Sequence, residues 1–294
     1  MTEFTGLFSV LATPFDADGR LDLPSLRRLV RFMLDAGASG LVRLGIMGEA
    51  AHLTIDERAQ LLEIVVAETD GAVPVVVGVS DSSSDLAAAR GVHARKLGAD
   101  ALMVTVPAAA ERLTAHLAAV AAAAPGVPLV LQDYPRSGHP PVTAEQLANA
   151  ARAVPAVAAI KAEDPPTSAK IAAVRALAPK LPQLGGLGGL WSLWELEAGS
   201  AGCMTGFAIP ELLVELAAAA GDRVRAGDIY RRAVPALVWE SQPGAELALR
   251  KTLLCARGAI ATPRVRAPSP PIPGAEATAR RLLADLDLAA SSAS

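Results

Sequence analysis

The sequence predicts an α/β fold, a (β/α)8 TIM barrel with an appended C-terminal helical layer, on three observations. Short Val/Leu/Ile-rich runs alternate with longer Ala-rich segments, eight such runs fall between Gly6 and Phe207, and a further block of helical segments follows. Apolar runs alternating with helices mark parallel strands buried on both faces. Eight of them favour a closed barrel, because an open doubly wound sheet usually has fewer strands and turns at a Gly-rich nucleotide loop. The candidate for such a loop, Gly185-Gly186-Leu187-Gly188-Gly189, lacks a clear GxGxxG and has no Lys-Ser/Thr pair, so nucleotide binding is not expected there.

The strands are expected over residues 6–15, 39–45, 73–79, 101–106, 127–134, 156–161, 181–186 and 201–207. Leu23-Pro24-Ser25 precedes a helix expected over residues 26–36. Thr54 and Thr143 each have Glu or Gln three residues on, Glu57 and Gln146, which is the spacing of a capping box before helices to residues 69 and 153. Gly37, Gly98 and Gly199 stand where a left-handed residue would close a helix. A helix over 209–220 completes the barrel. Residues 1–221 are thus read as the barrel and 222–294 as a helical extension packed on it, with helices near 224–239, 245–257 and 275–288, a Pro-rich connector at 262–273 and a frayed end at 289–294.

Composition narrows the partners. The chain has 294 residues, 52% hydrophobic and 19% charged, with a net charge of -3, which gives it a sizeable core and no electrostatic footprint for nucleic acid. No apolar stretch of about 20 residues is present to span a membrane, and Met1-Thr2-Glu3 lacks the basic start of a secretion signal, so a cytoplasmic protein is expected. Cys203 and Cys255 have no metal or redox spacing and are expected to be small core residues, and the four histidines show no ligand spacing. His52 and His139 are the two that could approach the mouth of the barrel, and Trp191 and Trp194 are read as a packing pair. A small solute is the expected ligand, with no metal.

Chemistry in this architecture converges on the carboxyl ends of the strands. Thr13, Glu49, Gln132, Tyr134, Lys161, Glu163 and Thr205 occupy such positions. Of 27 basic residues only five are lysine, and Lys161 closes a buried apolar run, whereas Lys96, Lys170, Lys180 and Lys251 read as helix-surface residues. Desolvation favours the neutral amine, a nucleophile for a ketone, so Lys161 reads as a Schiff-base lysine; the alternative is a structural pair with Glu163. Glu163 lies two residues on and points the same way if the strand continues, to hold the lysine or move protons. Gln132 and Tyr134 share a face by period two, leaving Asp133 on the other. Tyr134 is either a proton shuttle or an aromatic plug. Asp164, before Pro165-Pro166, reads as a loop residue. In Gly45-Ile46-Met47-Gly48-Glu49, glycines three apart allow close backbone approach with amides free for a carboxylate, and Glu49 is either part of that site or a tie for the loop.

These residues bring out a family likeness. In Ala12-Thr13-Pro14-Phe15, the Gly45–Glu49 loop, Tyr134-Pro135 and Ile160-Lys161, the chain resembles the dihydrodipicolinate synthase and N-acetylneuraminate lyase superfamily over nearly its whole length. The resemblance implies class I chemistry on 2-oxo acids, an imine on Lys161, no cofactor beyond that covalent imine, and a homo-oligomer, usually a tetramer. Three departures stand out. Ile46 and Met47 replace two threonines of the carboxylate loop, Pro107-Ala108-Ala109 replaces a Pro-Tyr-Tyr signature, and Gln132 replaces the catalytic tyrosine. The proton relay is therefore absent, which argues against dihydrodipicolinate synthesis. Gly-Ile-Met-Gly-Glu-Ala, Gln-Asp-Tyr-Pro, Ile-Lys-Ala-Glu-Asp-Pro-Pro and Met204-Thr205-Gly206-Phe207 look most like the branch containing L-2-keto-3-deoxyarabonate dehydratase. The expected activity is dehydration of a 2-keto-3-deoxy sugar acid by a lyase, with pyruvate-dependent aldol chemistry or a catalytically degenerate 2-oxo-acid-binding barrel as alternatives. Lys161, Tyr134 and Glu163 are the expected catalytic residues. Thr13, Gly45, Ile46, Met47, Gly48, Glu49, Gln132, Arg136, Gly186 and Thr205 are the expected substrate-binding residues.

Overall fold

A computed structural model describes residues 2–288, so the expected frayed end at 289–294 lies outside the described residues. Eight parallel strands pair in chain order and close: β1 (Gly6–Val10), β2 (Gly40–Arg43), β3 (Val75–Gly78), β4 (Ala101–Thr105), β5 (Leu129–Asp133), β6 (Val157–Ala162), β7 (Gln183–Gly185) and β8 (Gly202–Thr205). Closure is direct, Phe8 of β1 lying opposite Met204 of β8. Around them run α1 (Leu23–Asp35), α2 (Ile55–Thr69), α3 (Ser84–Lys96), α4 (Leu113–Ala123), α5 (Ala144–Ala153), α6 (Thr167–Leu177), α7 (Ser192–Glu197) and α8 (Pro210–Ala218). Then come α9 (Arg223–Glu240), α10 (Glu246–Ala256) and α11 (Ala275–Asp285).

The strand period of two sorts the apolar residues into two cores. Phe8, Val42, Val76, Met103, Val130, Ala159, Leu184 and Met204 fill the barrel interior. Their neighbours Leu7, Leu41, Val75, Leu102, Leu131, Ile160 and Cys203 face the helices instead. Lys161 follows the parity of Ala159, and Gln132 that of Val130, so each stands above the inner core.

Local signals in the sequence are realised locally. Both capping boxes form, with Thr54 and Thr143 each accepting from the third residue on and that residue's side chain returning the bond. Gly37, Gly98 and Gly199 are left-handed. The first helix starts earlier than expected, because Asp22 accepts from the Ser25 amide and so forms the cap. The strands are shorter than the apolar runs, so Thr13, Tyr134 and Glu163 lie just beyond the ladder, where the chain turns over the mouth.

Two lysines expected on helix surfaces are not free there. Lys251 is fully buried. Lys170 bridges Asp133 and Asp164, at 2.6 Å to each. Of the cysteines, Cys203 is buried as expected, whereas Cys255 is only partly so. Trp191 and Trp194 do pack together, at 6.0 Å between rings with Trp194 edge-on to Tyr230, but each is over two-fifths exposed and so lies at the surface. No helix among the described residues is long and apolar enough to cross a membrane.

Candidate active site at the barrel mouth

Lys161 and Glu163 leave β6 together and both are buried, with Lys161 Nζ 3.2 Å from Glu163 Oε2. The same oxygen accepts from Gln132 Nε2 at 2.6 Å, and Oε1 accepts from the Leu187 amide at 3.2 Å. Gly186 is what admits this carboxylate: a Cβ there would lie 2.3 to 2.5 Å from three atoms of the Glu163 side chain. The pair borders a cavity of about 410 Å³ that Gly45, Ile46, Met47, Tyr134, Arg136 and Thr205 also line. Burial, and next the Glu163 carboxylate, raise the Tyr134 phenol above its ordinary value. A second cavity of about 630 Å³ shares Gly45, Ile46, Met47 and Gln132 but opens under the β3 and β4 loops, away from Lys161. His52 and His139 line that second cavity, and the His139 ring accepts from the Tyr134 amide.

The loop after β2 is a short 3-10 turn over Ile46–Gly48. Its Gly48 and Glu49 amides are spent on Gly45 and Ile46 carbonyls, so the amides of Ile46 and Met47 are the ones left to face a ligand. Gly48 is therefore a turn residue whose amide is already bonded within the loop. Thr13 is fully buried, accepts from Arg43 at 2.6 Å and donates to the Gly48 carbonyl, so it props the loop from beneath. Glu49 ties the loop down. Its carboxylate takes Lys251 Nζ at 2.5 Å and the amides of Arg266 and Ala267 at 2.7 and 2.8 Å. Asp133 points away from the mouth to Lys170, as its parity requires.

The family of this chain is set by its whole length. The model of the dihydrodipicolinate synthetase family matches residues 3–284. The chain belongs to that family. Among solved structures, dihydrodipicolinate synthase from Rhodopseudomonas palustris superposes with a TM-score of 0.90 at 29% identity, over 97% of this chain and 99% of that one. A structure described as the first monomeric dihydrodipicolinate synthase variant superposes at 0.87, with 27% identity and 97% of each chain covered. In sequence, the 4-hydroxy-tetrahydrodipicolinate synthase of Synechococcus sp. (strain CC9311) is 38% identical over 160 residues, 52% of this chain and 53% of that protein. The chain thus spans about half the length of the curated relatives it matches.

Within this family frame, the sequence left out the contribution of the last helices. Glu240, Ser241, Glu246 and Arg250, from the end of α9 through α10, line the same cavity as Lys161. Arg43 was missed as well, a fully buried guanidinium bonded to the Leu11 carbonyl and Thr13 and held down to about 10 by burial. Only an arginine closing an apolar strand hinted at the second, and nothing local hinted at the first. Among the described residues no cluster of His, Cys, Asp and Glu is placed to hold a metal ion.

Proposed function

We propose that this chain is a class I lyase that dehydrates a 2-keto-3-deoxy sugar acid through an imine on Lys161. The observation that carries the reading is the buried Lys161–Glu163 pair with Gln132, not a tyrosine, bonded to the carboxylate. Attack on a C2 ketone needs the neutral amine, and Glu163 is placed to accept the ammonium proton. Glu163 then returns that proton to the carbinolamine hydroxyl, which leaves as water and gives the iminium. The regenerated carboxylate next removes a C3 proton that the iminium has acidified. Tyr134, its phenol kept protonated by burial, donates to the departing C4 hydroxyl. Hydrolysis of the imine frees Lys161. The substrate carboxylate rests on the Ile46 and Met47 amides, with exposed Arg136 at the rim. No step draws on a cofactor.

Aldol cleavage shares the imine but needs a base at the C4 hydroxyl, and the group nearest the amine here is a carboxylate suited to C3. Borohydride trapping with pyruvate or a 2-keto-3-deoxy pentonate, followed by peptide mass analysis, should place the adduct on Lys161. An adduct elsewhere, none at all, or turnover by Lys161→Ala would overturn the imine. Product analysis then decides the reaction: loss of water with every carbon retained supports dehydration, release of pyruvate supports the aldolase, and binding without turnover supports a degenerate barrel. A homotetramer in the cytoplasm completes the proposal, although the monomeric relative shows that the fold tolerates other assembly states.

A further inference from the structure

The wall of the Lys161 cavity contributed by the last helices carries polar groups that the chemistry above does not use. Arg250 is 3% exposed, and its Nε donates to Glu240 Oε2 at 2.9 Å. Glu240 is itself buried, and its other oxygen accepts from the Ala208 amide at 3.0 Å, so the guanidinium is held by one edge in a fixed orientation. Its Nη1 and Nη2 have no acceptor among the described residues. Nη1 lies 3.2 Å from where a Cβ on Gly206 would stand, and Nη2 3.8 Å from that of Gly188. Beside them, Ser241 Oγ lies 3.0 Å from the same point on Gly188 and is buried without a partner. Gly188, Gly206, Ser241 and Arg250 all line the cavity that holds Lys161.

Buried polar groups in folded proteins are almost always bonded, to protein, water or ligand. A one-edged guanidinium and a lone hydroxyl facing one cavity therefore describe a place for oxygen atoms. The charge of Arg250 is already matched by Glu240, which favours neutral oxygens over a second anion. We infer that Arg250 and Ser241 form the subsite for the hydroxylated tail of the substrate, and so select 2-oxo acids that carry hydroxyls beyond the reacting carbons. This rests on the reading that Lys161 binds the ketone end. Arg250 and Ser241 act on specificity and take no part in the covalent steps. A site built to bond a hydroxyl discriminates strongly against an analogue lacking it, since its own donors are then left unpaired.

The test uses the full-length protein with Arg250→Lys, which keeps Glu240 paired but removes the forked edge, and Ser241→Ala, which removes a hydroxyl that bonds nothing. Calorimetric affinity for a 2-keto-3-deoxy hexonate should fall about tenfold to a hundredfold relative to that for pyruvate, the range of a hydrogen bond to a charged group. The ratio of kcat/KM for hexonate to borohydride trapping rate with pyruvate should fall in parallel. Equal losses on both ligands would overturn the subsite and leave a structural role. A selective loss on 2-oxoglutarate, with hexonate spared, would overturn it in favour of an anion site. If the parent protein traps no imine yet the variants still lose hexonate affinity, the imine reading fails and the tail subsite stands.

Discussion

Glu195 shows what one buried carboxyl does when only half satisfied. It is fully buried, Thr167 donates to Oε1 at 2.6 Å, and Oε2 has no partner. Burial pushes it up to about 7, against the smaller opposing effect of the Thr167 bond. The folded chain therefore holds this proton over a range in which the unfolded chain has lost it, between about pH 4.5 and pH 7. Stability falls as pH rises through that window, and the full cost is present above it. Glu195→Gln should raise Tm at pH 8 and change it much less at pH 4.5. A scan showing the same Tm difference at both pH values would refute the assignment. Nothing in the local sequence Ser192-Leu193-Trp194-Glu195 announces this, since the carboxyl is trapped by α6 and β7 packing against α7. Lys161 and Glu163 were legible by contrast, because strand parity alone puts both on one face.

At the scale of elements, the loop after β2 is shaped less by its own residues than by α10. Lys251 Nζ bonds Glu49 and the Arg264 carbonyl, and burial, partly offset by Glu49, pushes the amine down to about 8. Removing one partner of such a buried pair costs about 3–5 kcal/mol, because the other charge stays behind. Lys251→Met should therefore lower stability in chemical denaturation by about that amount. It should also raise KM for pyruvate trapping more than it slows the trapping step, since the Ile46 and Met47 amides lose their support. An unchanged denaturation midpoint would refute the clamp. The capping boxes at Thr54 and Thr143 were readable because cap and partner lie three residues apart. Glu49 and Lys251 are 202 residues apart, and a lysine in a helix looks the same in sequence whether it meets solvent or a carboxylate.

Across the whole molecule, the Pro-rich connector between α10 and α11 is fastened back to the barrel. Arg266 donates two bonds to Glu57 at 2.7 and 2.8 Å, and that hydrogen bonding, ahead of all other causes, lowers the Glu57 carboxyl to about 2. Because the folded value lies below the unfolded one of about 4.5, the stability from this contact is present above pH 4.5 and lost as pH falls towards 2. Arg266→Met should flatten the acid limb of the stability profile in that interval while leaving its slope above pH 6 alone. An acid limb identical to the parent's would show that the strap contributes nothing.

The sequence by itself determined the barrel, the order of its strands, the caps of its helices and the face that carries Lys161, Glu163 and Gln132. Those features follow from periods of two and 3.6 and from partners within one turn, which any stretch of chain carries with it. Only the tertiary structure decided that Thr13 props the mouth loop from beneath and Glu49 ties it down, that Lys251 is buried, and that Arg250 and Ser241 reach the cavity beside Lys161. Each depends on which distant segment fills the space beside it, and burial of a charge is a property of that meeting, not of the residue.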